Sequence, residues 1–310
     1  MTAPIDQNPQ HEQDQAQSAP EQLVADSQMS PETYQFPSQR LVRRQKQAGK
    51  TPLVLVACGS FSPITYLHLR MFEMASDFVR FNTDFEVVGG FLSPVSDAYK
   101  KVGLAPAYHR IEMCELAARE TSTWLSCDPW EAIQPDYVPT AEVLDHFDHE
   151  INEVLGGVED VHGNRRPVRI ALLAGADLIQ TMSTPGVWSP RDLDHILRKY
   201  GTFIIERSGT DIEEALASLK QWQENIYVIQ QVVQNDISST KVRLFLKRDM
   251  SVRYLIPEPV IQHIEKNHLY EDPKKKEDDD KDKGKTLSSD AASQTDEPTK
   301  AESSRHASEG

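Results

Sequence analysis

The sequence predicts an α/β protein whose parallel sheet carries helices on both faces, and three observations lead there. From residue 53 to about residue 267, short apolar runs rich in β-branched residues alternate with segments of helical period. The runs are continuous rather than alternating, as in strands buried on both sides. Polarity is concentrated at the two ends: the first 36 residues are rich in Gln, Pro, Asp and Ser, and the last 40 contain one Leu and no Ile, Val, Phe or Trp. Such segments bury too little apolar area to offset the entropy of ordering. Residues 1–50 and 271–310 therefore read as disordered arms around a core spanning 51–270. The hydrophobic content of 38% over 310 residues is a normal core diluted by its ends.

The elements follow in order. Leu53-Val54-Leu55-Val56-Ala57 reads as the first buried strand, punctuated by Gly59 and Pro63. Leu67, Met71, Phe72, Met74, Ala75 and Phe78 recur at helical spacing over 66–79. A second strand, 86–92, ends at Ser93-Pro94, and Pro106 opens a helix over 106–119 at a favoured first position. A short strand at 124–127 precedes an acidic helix over about 138–155. Gly156-Gly157 and the polar stretch to Pro167 read as an exposed loop, so that about 140–167 forms a variable insertion. Val168–Leu173 is the next strand, followed by Gly175-Ala176-Asp177. Helix 190–199, strand 202–206, helix 211–223, strand 226–230 and helices 239–247 and 257–267 complete the core. Ligands of such sheets bind beyond the carboxyl ends of the strands. The residues there are unusual: Gly59-Ser60-Phe61, Ser93-Pro94, Gly175-Ala176-Asp177, Arg207-Ser208-Gly209 and Asn235-Asp236.

Composition excludes several classes. The net charge is −15, and residues 51–270 alone hold 20 basic and 30 acidic side chains. A negative core without a basic stripe argues against nucleic acid as the main ligand. Cys58, Cys114 and Cys127 are too few and too scattered for a disulfide framework or a thiolate zinc site, and free thiols fit a reducing compartment. No apolar run is long enough to span a membrane, and the amino terminus lacks the apolar stretch of a secretory signal.

Two segments carry the chemistry. In Gly59-Ser60-Phe61-Ser62-Pro63-Ile64-Thr65-Tyr66-Leu67-His68 a glycine ends the strand and Thr65 is placed to cap the next helix. His68 then falls at the third helical position, among free N–H groups at the positive end of the dipole, which suits a polyphosphate. About 180 residues later, Ile237-Ser238-Ser239-Thr240-Lys241-Val242-Arg243 puts hydroxyls and two cations in the first turn of a helix. Cations there oppose the helix dipole, so the arrangement makes sense if an anion sits among them.

Together these segments resemble the nicotinamide mononucleotide adenylyltransferases. The resemblance covers 53–270 and includes Ser93-Pro94-Val95-Ser96-Asp97-Ala98-Tyr99-Lys100-Lys101, Ala107-Tyr108-His109-Arg110, Gly175-Ala176-Asp177 and Asn235-Asp236-Ile237. Ser62 and Tyr66, where animal members carry Asn, resemble the fungal branch. The family implies a Rossmann-like, doubly wound sheet of the nucleotidyltransferase superfamily. It also implies transfer of an adenylyl group from ATP to nicotinamide mononucleotide or nicotinic acid mononucleotide, with Mg²⁺ accompanying ATP. On this resemblance His68 and Arg243 are catalytic, and His68, Lys101, Thr240, Lys241, Val242 and Arg243 hold ATP. Gly59, Ser60, Tyr99, Lys100, Lys101, Tyr137, Thr140, Gly175, Asp177, Val187, Trp188 and Asn235 serve the mononucleotide and the dinucleotide product. A homo-oligomer in cytoplasm and nucleus is also expected. The alternatives are a nucleotide-binding, chaperone-like scaffold or a related transferase with another acceptor.

The remaining features read more plainly. His146, Asp148 and His149 have helix-face spacing but sit in the acidic helix, and are expected to form a solvated face rather than a metal site. His109 and Arg110 either meet ligand or pack. Lys274-Lys275-Lys276 reads equally as a nuclear-import run or as part of a mixed-charge tail.

Overall fold

The computed structural model describes residues 31–206 and 212–271. The chain divides into Met1–Leu269, which holds the sheet, and Tyr270–Gly310, of which only Tyr270 and Glu271 are described.

Six parallel strands form the sheet: β1 (Thr51–Gly59), β2 (Phe85–Pro94), β3 (Leu125–Cys127), β6 (Arg169–Gly175), β7 (Thr202–Ile205) and β8 (Ile226–Ile229), in the order β3-β2-β1-β6-β7-β8. Leu53 to Val56 are fully buried. Val54 and Val56 join a core with Leu144, Phe147 and Ile179, while Leu53 and Leu55, facing the other way, are equally sealed. Helices on both faces remove any reason for polar alternation. The crossovers are α1 (Tyr66–Asn82), α2 (Ala107–Thr121) and α3 (Thr140–Asp148), the last continued by a π-helical turn, His149–Val154. Then come α4 (Ala176–Ser183), α5 (Pro190–His195), α6 (Ile212–Ser218), α7 (Ser239–Lys247) and α8 (Glu258–Lys266). Strand order reverses between β1 and β6, which opens a crevice at the carboxyl edge. This is the doubly wound arrangement expected.

Several expectations need correction. The folded unit does not begin at residue 51. Leu41 is buried, and Phe36 lies 5.1 Å from Phe91 and 5.9 Å from Phe147 between ring centroids. Arg40 donates to the carbonyls of Ala118, Ser122 and Leu125 at 2.8–2.9 Å, tying this segment to the end of α2 and to β3. The buried Glu86 carboxylate takes the Lys46 and Gln47 amides at 2.8 and 3.1 Å. A few apolar residues suffice here because the core they cover is made by others. Residues 1–30, 272–310 and the Arg207-Ser208-Gly209 segment lie outside the described residues, as do the arm, tail and Lys274–Lys276 expectations that fall on them.

The supposed insertion is also structural. Ala141, Val143, Leu144, Phe147 and Ile151 are core. The loop after it contains a hairpin, β4 (Val158–Glu159) against β5 (Arg165–Arg166). Gly157 turns into it at φ +72°, where a Cβ would fall 2.2 Å from the Arg166 carbonyl oxygen. His146 does not belong to a solvated face. It is buried, stacked on Trp130 at 4.1 Å, with Nε2 3.0 Å from both Asp128 Oδ2 and the Tyr34 hydroxyl. Asp148 pairs instead with Lys199, and His149 with Glu153. Among the described residues no group of three or more His, Cys, Asp or Glu is arranged to hold a metal, and no helix is long and apolar enough to cross a membrane. The helix expected over 211–223 is divided into α6 and a 3₁₀ segment, Lys220–Asn225, and α4, which spacing alone did not reveal, is barely two turns long.

Leu41→Ala empties a site in the main core and is expected to cost about 2–4 kcal/mol in urea unfolding. A loss below about 1 kcal/mol would show that residues 31–50 contribute little to the fold.

Candidate active site

The crevice at the switch point is a cleft of about 500 Å³. It gathers the end of β1, the first turns of α1, the end of β6 with α4, and the start of α7. Of the residues expected to act, Gly59, Ser60, His68, Tyr99, Lys101, Gly175, Asp177, Thr240 and Arg243 line it.

The first loop is built around Phe61. Its ring is buried, its backbone takes φ 41°, and it stands edge-on to His68 at 5.2 Å. A Cβ on Gly59 would fall 3.1–3.4 Å from that ring, so glycine lets Phe61 cover the strand end. Thr65 caps α1 in extended backbone. Its amide donates to His68 Nδ1 at 3.0 Å, and its hydroxyl lies 2.8 Å from the same atom. An N–H aimed at Nδ1 requires a lone pair there, which places the ring proton on Nε2 and opposes the imidazolium. With the proton on Nε2, the ring offers an N–H donor on the wall of the cleft.

The second motif closes onto this loop. Ser238 caps α7 by accepting from the Lys241 amide at 3.3 Å. Ser239 Oγ donates to the Pro63 carbonyl at 2.8 Å, and Arg243 donates to the Ser62 carbonyl at 2.7 Å and to Thr240 Oγ1 at 3.3 Å. Two segments 180 residues apart thereby present one cationic, N–H-rich surface. Lys241 is ion-paired with Asp236. Val242 is fully buried and its amide donates to the Ser238 carbonyl, so its side chain packs inward rather than into the cleft. Asn235 closes a turn, its Oδ1 accepting from the Ile237 amide at 3.0 Å. Lys100 is exposed at φ 51°.

Beside the cleft, and reaching it through Tyr99 and Thr181, lies an aromatic group. Tyr99 stacks on Tyr137 at 5.9 Å and 25°. Burial, and after it the charge of Glu131, pushes the Tyr137 phenol up, with smaller contributions from Tyr99, Cys58 and Asp192. Trp188, just before α5, donates from Nε1 to Thr181 Oγ1 at 3.0 Å, and Thr181 lines the cleft. Thr140 is the first residue of α3, and Val187 is exposed beside Trp188.

Beneath both ends lie residues whose roles sequence reasoning missed. The Arg110 guanidinium is wholly buried. It donates to the carbonyls of Ala105 (2.8 Å) and Ser60 (3.3 Å) and to Asp97 Oδ1 (2.8 Å), whose other oxygen accepts from the Ala107 amide at 3.0 Å. It packs and does not line the cleft. Its signal was a cation on a helix face otherwise made of Ile111, Cys114, Ala117 and Ala118. Glu131 is buried, with Oε2 accepting from Ser93 Oγ at 2.5 Å. Burial pushes its carboxyl up to about 8; Asp128 adds to this, while Ser93 and Arg110 oppose it.

Arg110→Ala strands two carbonyls and a carboxylate and leaves a void, an expected loss of about 3 kcal/mol or more in urea unfolding. Arg110→Lys, which cannot reproduce the fork, should recover only part of it. Full recovery by Lys would show that charge alone matters.

Comparison with known proteins accords with this geometry. Residues 56–245 match the cytidylyltransferase-like family. Nicotinamide/nicotinic acid mononucleotide adenylyltransferase 1 of Saccharomyces cerevisiae is 57% identical over 244 residues, which cover 78% of this chain and 61% of that protein. The Bos taurus adenylyltransferase 1 of the same description is 37% identical over 252 residues, covering 71% of this chain and 89% of that protein. The structure of Plasmodium falciparum nicotinic acid mononucleotide adenylyltransferase complexed with NaAD is 21% identical with a TM-score of 0.52, covering 71% of this chain and 97% of that one; at this identity it speaks for the fold. The chain spans 61–66% of the length of the yeast relatives it matches. The chain belongs to the cytidylyltransferase-like family and, within it, to the fungal type of nicotinamide/nicotinic acid mononucleotide adenylyltransferase.

Proposed function

We propose that this chain transfers the adenylyl group of ATP to nicotinamide mononucleotide or nicotinic acid mononucleotide, releasing pyrophosphate and forming NAD or deamido-NAD. One observation carries the reading: Arg243 on Ser62 and Ser239 on Pro63 bring the cationic start of α7 against the loop that presents His68. Two helix N-termini, a fixed N–H donor and a guanidinium then face one cleft, the environment a triphosphate requires.

The chemistry needs little more. A mononucleotide phosphate oxygen attacks the α-phosphorus of ATP, the bond to the bridging oxygen breaks, and pyrophosphate leaves with both electrons. The attacking phosphate is already largely a dianion near neutral pH, so no general base is required. The work is alignment of two anions and stabilisation of charge in the transition state. His68 Nε2–H, Lys101 and Arg243 supply it. Mg²⁺ enters as part of the ATP substrate and screens its phosphates. Direct transfer is favoured over a covalent intermediate because burial and Glu131 push the Cys58 thiol well above its ordinary value, leaving this cleft-lining group protonated. The acceptor's pyridine ring falls to the Tyr137 and Trp188 end, whose aromatic faces read the ring rather than its substituent.

Incubation with ATP, Mg²⁺ and either mononucleotide is expected to yield the matching dinucleotide by chromatography. Folded protein that forms neither product would refute the assignment. Arg243→Ala should lower kcat about 10²–10³-fold while shifting Tm by only a few degrees; unchanged turnover would remove its role.

A further inference from the structure

We propose that the chain carries a second anion site, away from the catalytic cleft: a cavity rimmed by Arg43, Arg44 and Arg165 that takes a small organic phosphate. The site stands independently of the adenylyl-transfer reading, because its residues and its place on the sheet are different.

The cavity has a volume of about 340 Å³, and Glu159, Val154 and Leu155 complete its lining. That is the size of a small-molecule site. None of these residues lines the catalytic cleft. The segment carrying Arg43 and Arg44 leads into β1, and the hairpin carrying Glu159 and Arg165 leads into β6. These two strands are neighbours, so the cavity lies toward their amino ends, whereas their carboxyl ends form the cleft.

Three short extended pieces build the rim. Arg44 is bridged to Glu159, and Glu159 is paired with Arg165 across the hairpin. The Gln45 amide donates to the Glu159 carbonyl and the Glu159 amide to the Arg43 carbonyl, both at 2.8 Å. Directly paired residues share a face, so Arg44 and Arg165 flank Glu159 at two strand spacings, about 10 Å apart. Leu41, Gln45 and Val158 are buried, which anchors the ribbon to the core.

The guanidiniums are oriented but not neutralised. Arg43 Nη2 donates to Ser38 Oγ at 3.3 Å, Arg44 Nη2 to the Val161 carbonyl at 2.9 Å and Arg165 Nη1 to the Gly157 carbonyl at 3.2 Å. Each contact leaves most of a guanidinium's five donors uncommitted. Among the described residues, Arg110, Arg119, Arg198 and Arg253 form ion pairs with carboxylates, and these three arginines do not. Glu159 offers one negative charge to three positive ones, and Asp160 is taken by Asn164 and the His162 amide. A chain with 48 acidic side chains has carboxylates to spare, yet it gathers cations here without them. An anion from outside balances that excess. Guanidinium forks match phosphoryl oxygens, and a phosphate monoester brings nearly two charges. Val154 and Leu155 supply an apolar wall for the organic part.

The test is calorimetric titration of the full chain with phenyl phosphate, a dianion with an apolar ring at about pH 7.5, in about 0.15 M salt. Saturable binding is expected. Arg44→Gln combined with Arg165→Gln should weaken it about a hundredfold, roughly tenfold for each charged donor lost. Arg243→Ala, in the catalytic cleft, should leave it in place. In the wild type, the ester should slow amide hydrogen exchange over residues 157–166, a readout that needs no substitution. Absence of saturable binding would overturn the proposal. So would equal weakening by Arg119→Gln with Arg248→Gln, which removes the same charge elsewhere on the surface, or binding that vanishes in Arg243→Ala alone.

Discussion

A single buried guanidinium holds the site together. Arg110 enters the interior from α2 and binds the backbone at Ser60 and Ala105 and the Asp97 carboxylate. The first of these contacts steadies the loop that ends β1, and the others steady the segment that follows β2. Each strand end would otherwise be an independent loop. Fully sealed at its guanidinium, Arg110 has no water to fall back on, so its protein partners must stay where they are. His68, Tyr99 and Lys101 stand on the segments it fastens. Arg243 then locks onto the same first loop from the far end of the chain.

The proposed substrates are both anions while the protein is acidic, and the arrangement of charge reconciles the two. The net charge of −15 bears on solubility and on polymeric partners, whereas anion binding is governed by the local field. Around the cleft, Lys101 and Arg243 join the donor His68 and the starts of α1 and α7. Lys241 pairs with Asp236 on the surface, and Arg243 is the cation of this helix that lines the cleft. His68 adds a directed hydrogen-bonding group to this wall, its ring oriented by the Thr65 amide.

Ser93, Glu131, Asp128 and His146 are buried polar residues, and the half-buried Tyr34 closes the layer on His146. Its last member belongs to the segment before β1, so residues 31–50 are tied to this layer as well as to the core. Burial and the Asp128 charge push the Tyr34 phenol far up, and Trp130 is stacked on His146. Low dielectric makes each partner in such a layer consequential. Burial there pushes the Glu131 carboxyl and the Tyr34 phenol up from their ordinary values.

Much of this was legible in the sequence. Strand and helix positions follow from apolar periodicity, and the cap at Thr65, the glycine at 59 and the cations at 241 and 243 are local patterns that a linear reading detects. Arg110 was visible as a charge on an apolar helix face, but its partners at 60, 97 and 105 were not. Phe36 and Leu41 were hidden because a few apolar residues in a polar stretch look unable to fold, and only the core built by others gives them a place. Val242 shared a motif with Arg243, yet helical rotation turned it inward. The sequence by itself determined most of the element order, the family and the residue types of its two cleft-lining motifs, since period, capping and residue type act over a few neighbours. Only the tertiary structure decided which groups converge, which partners hold Arg110 and that burial pushes the Glu131 carboxyl up, because burial and long-range partners set these properties.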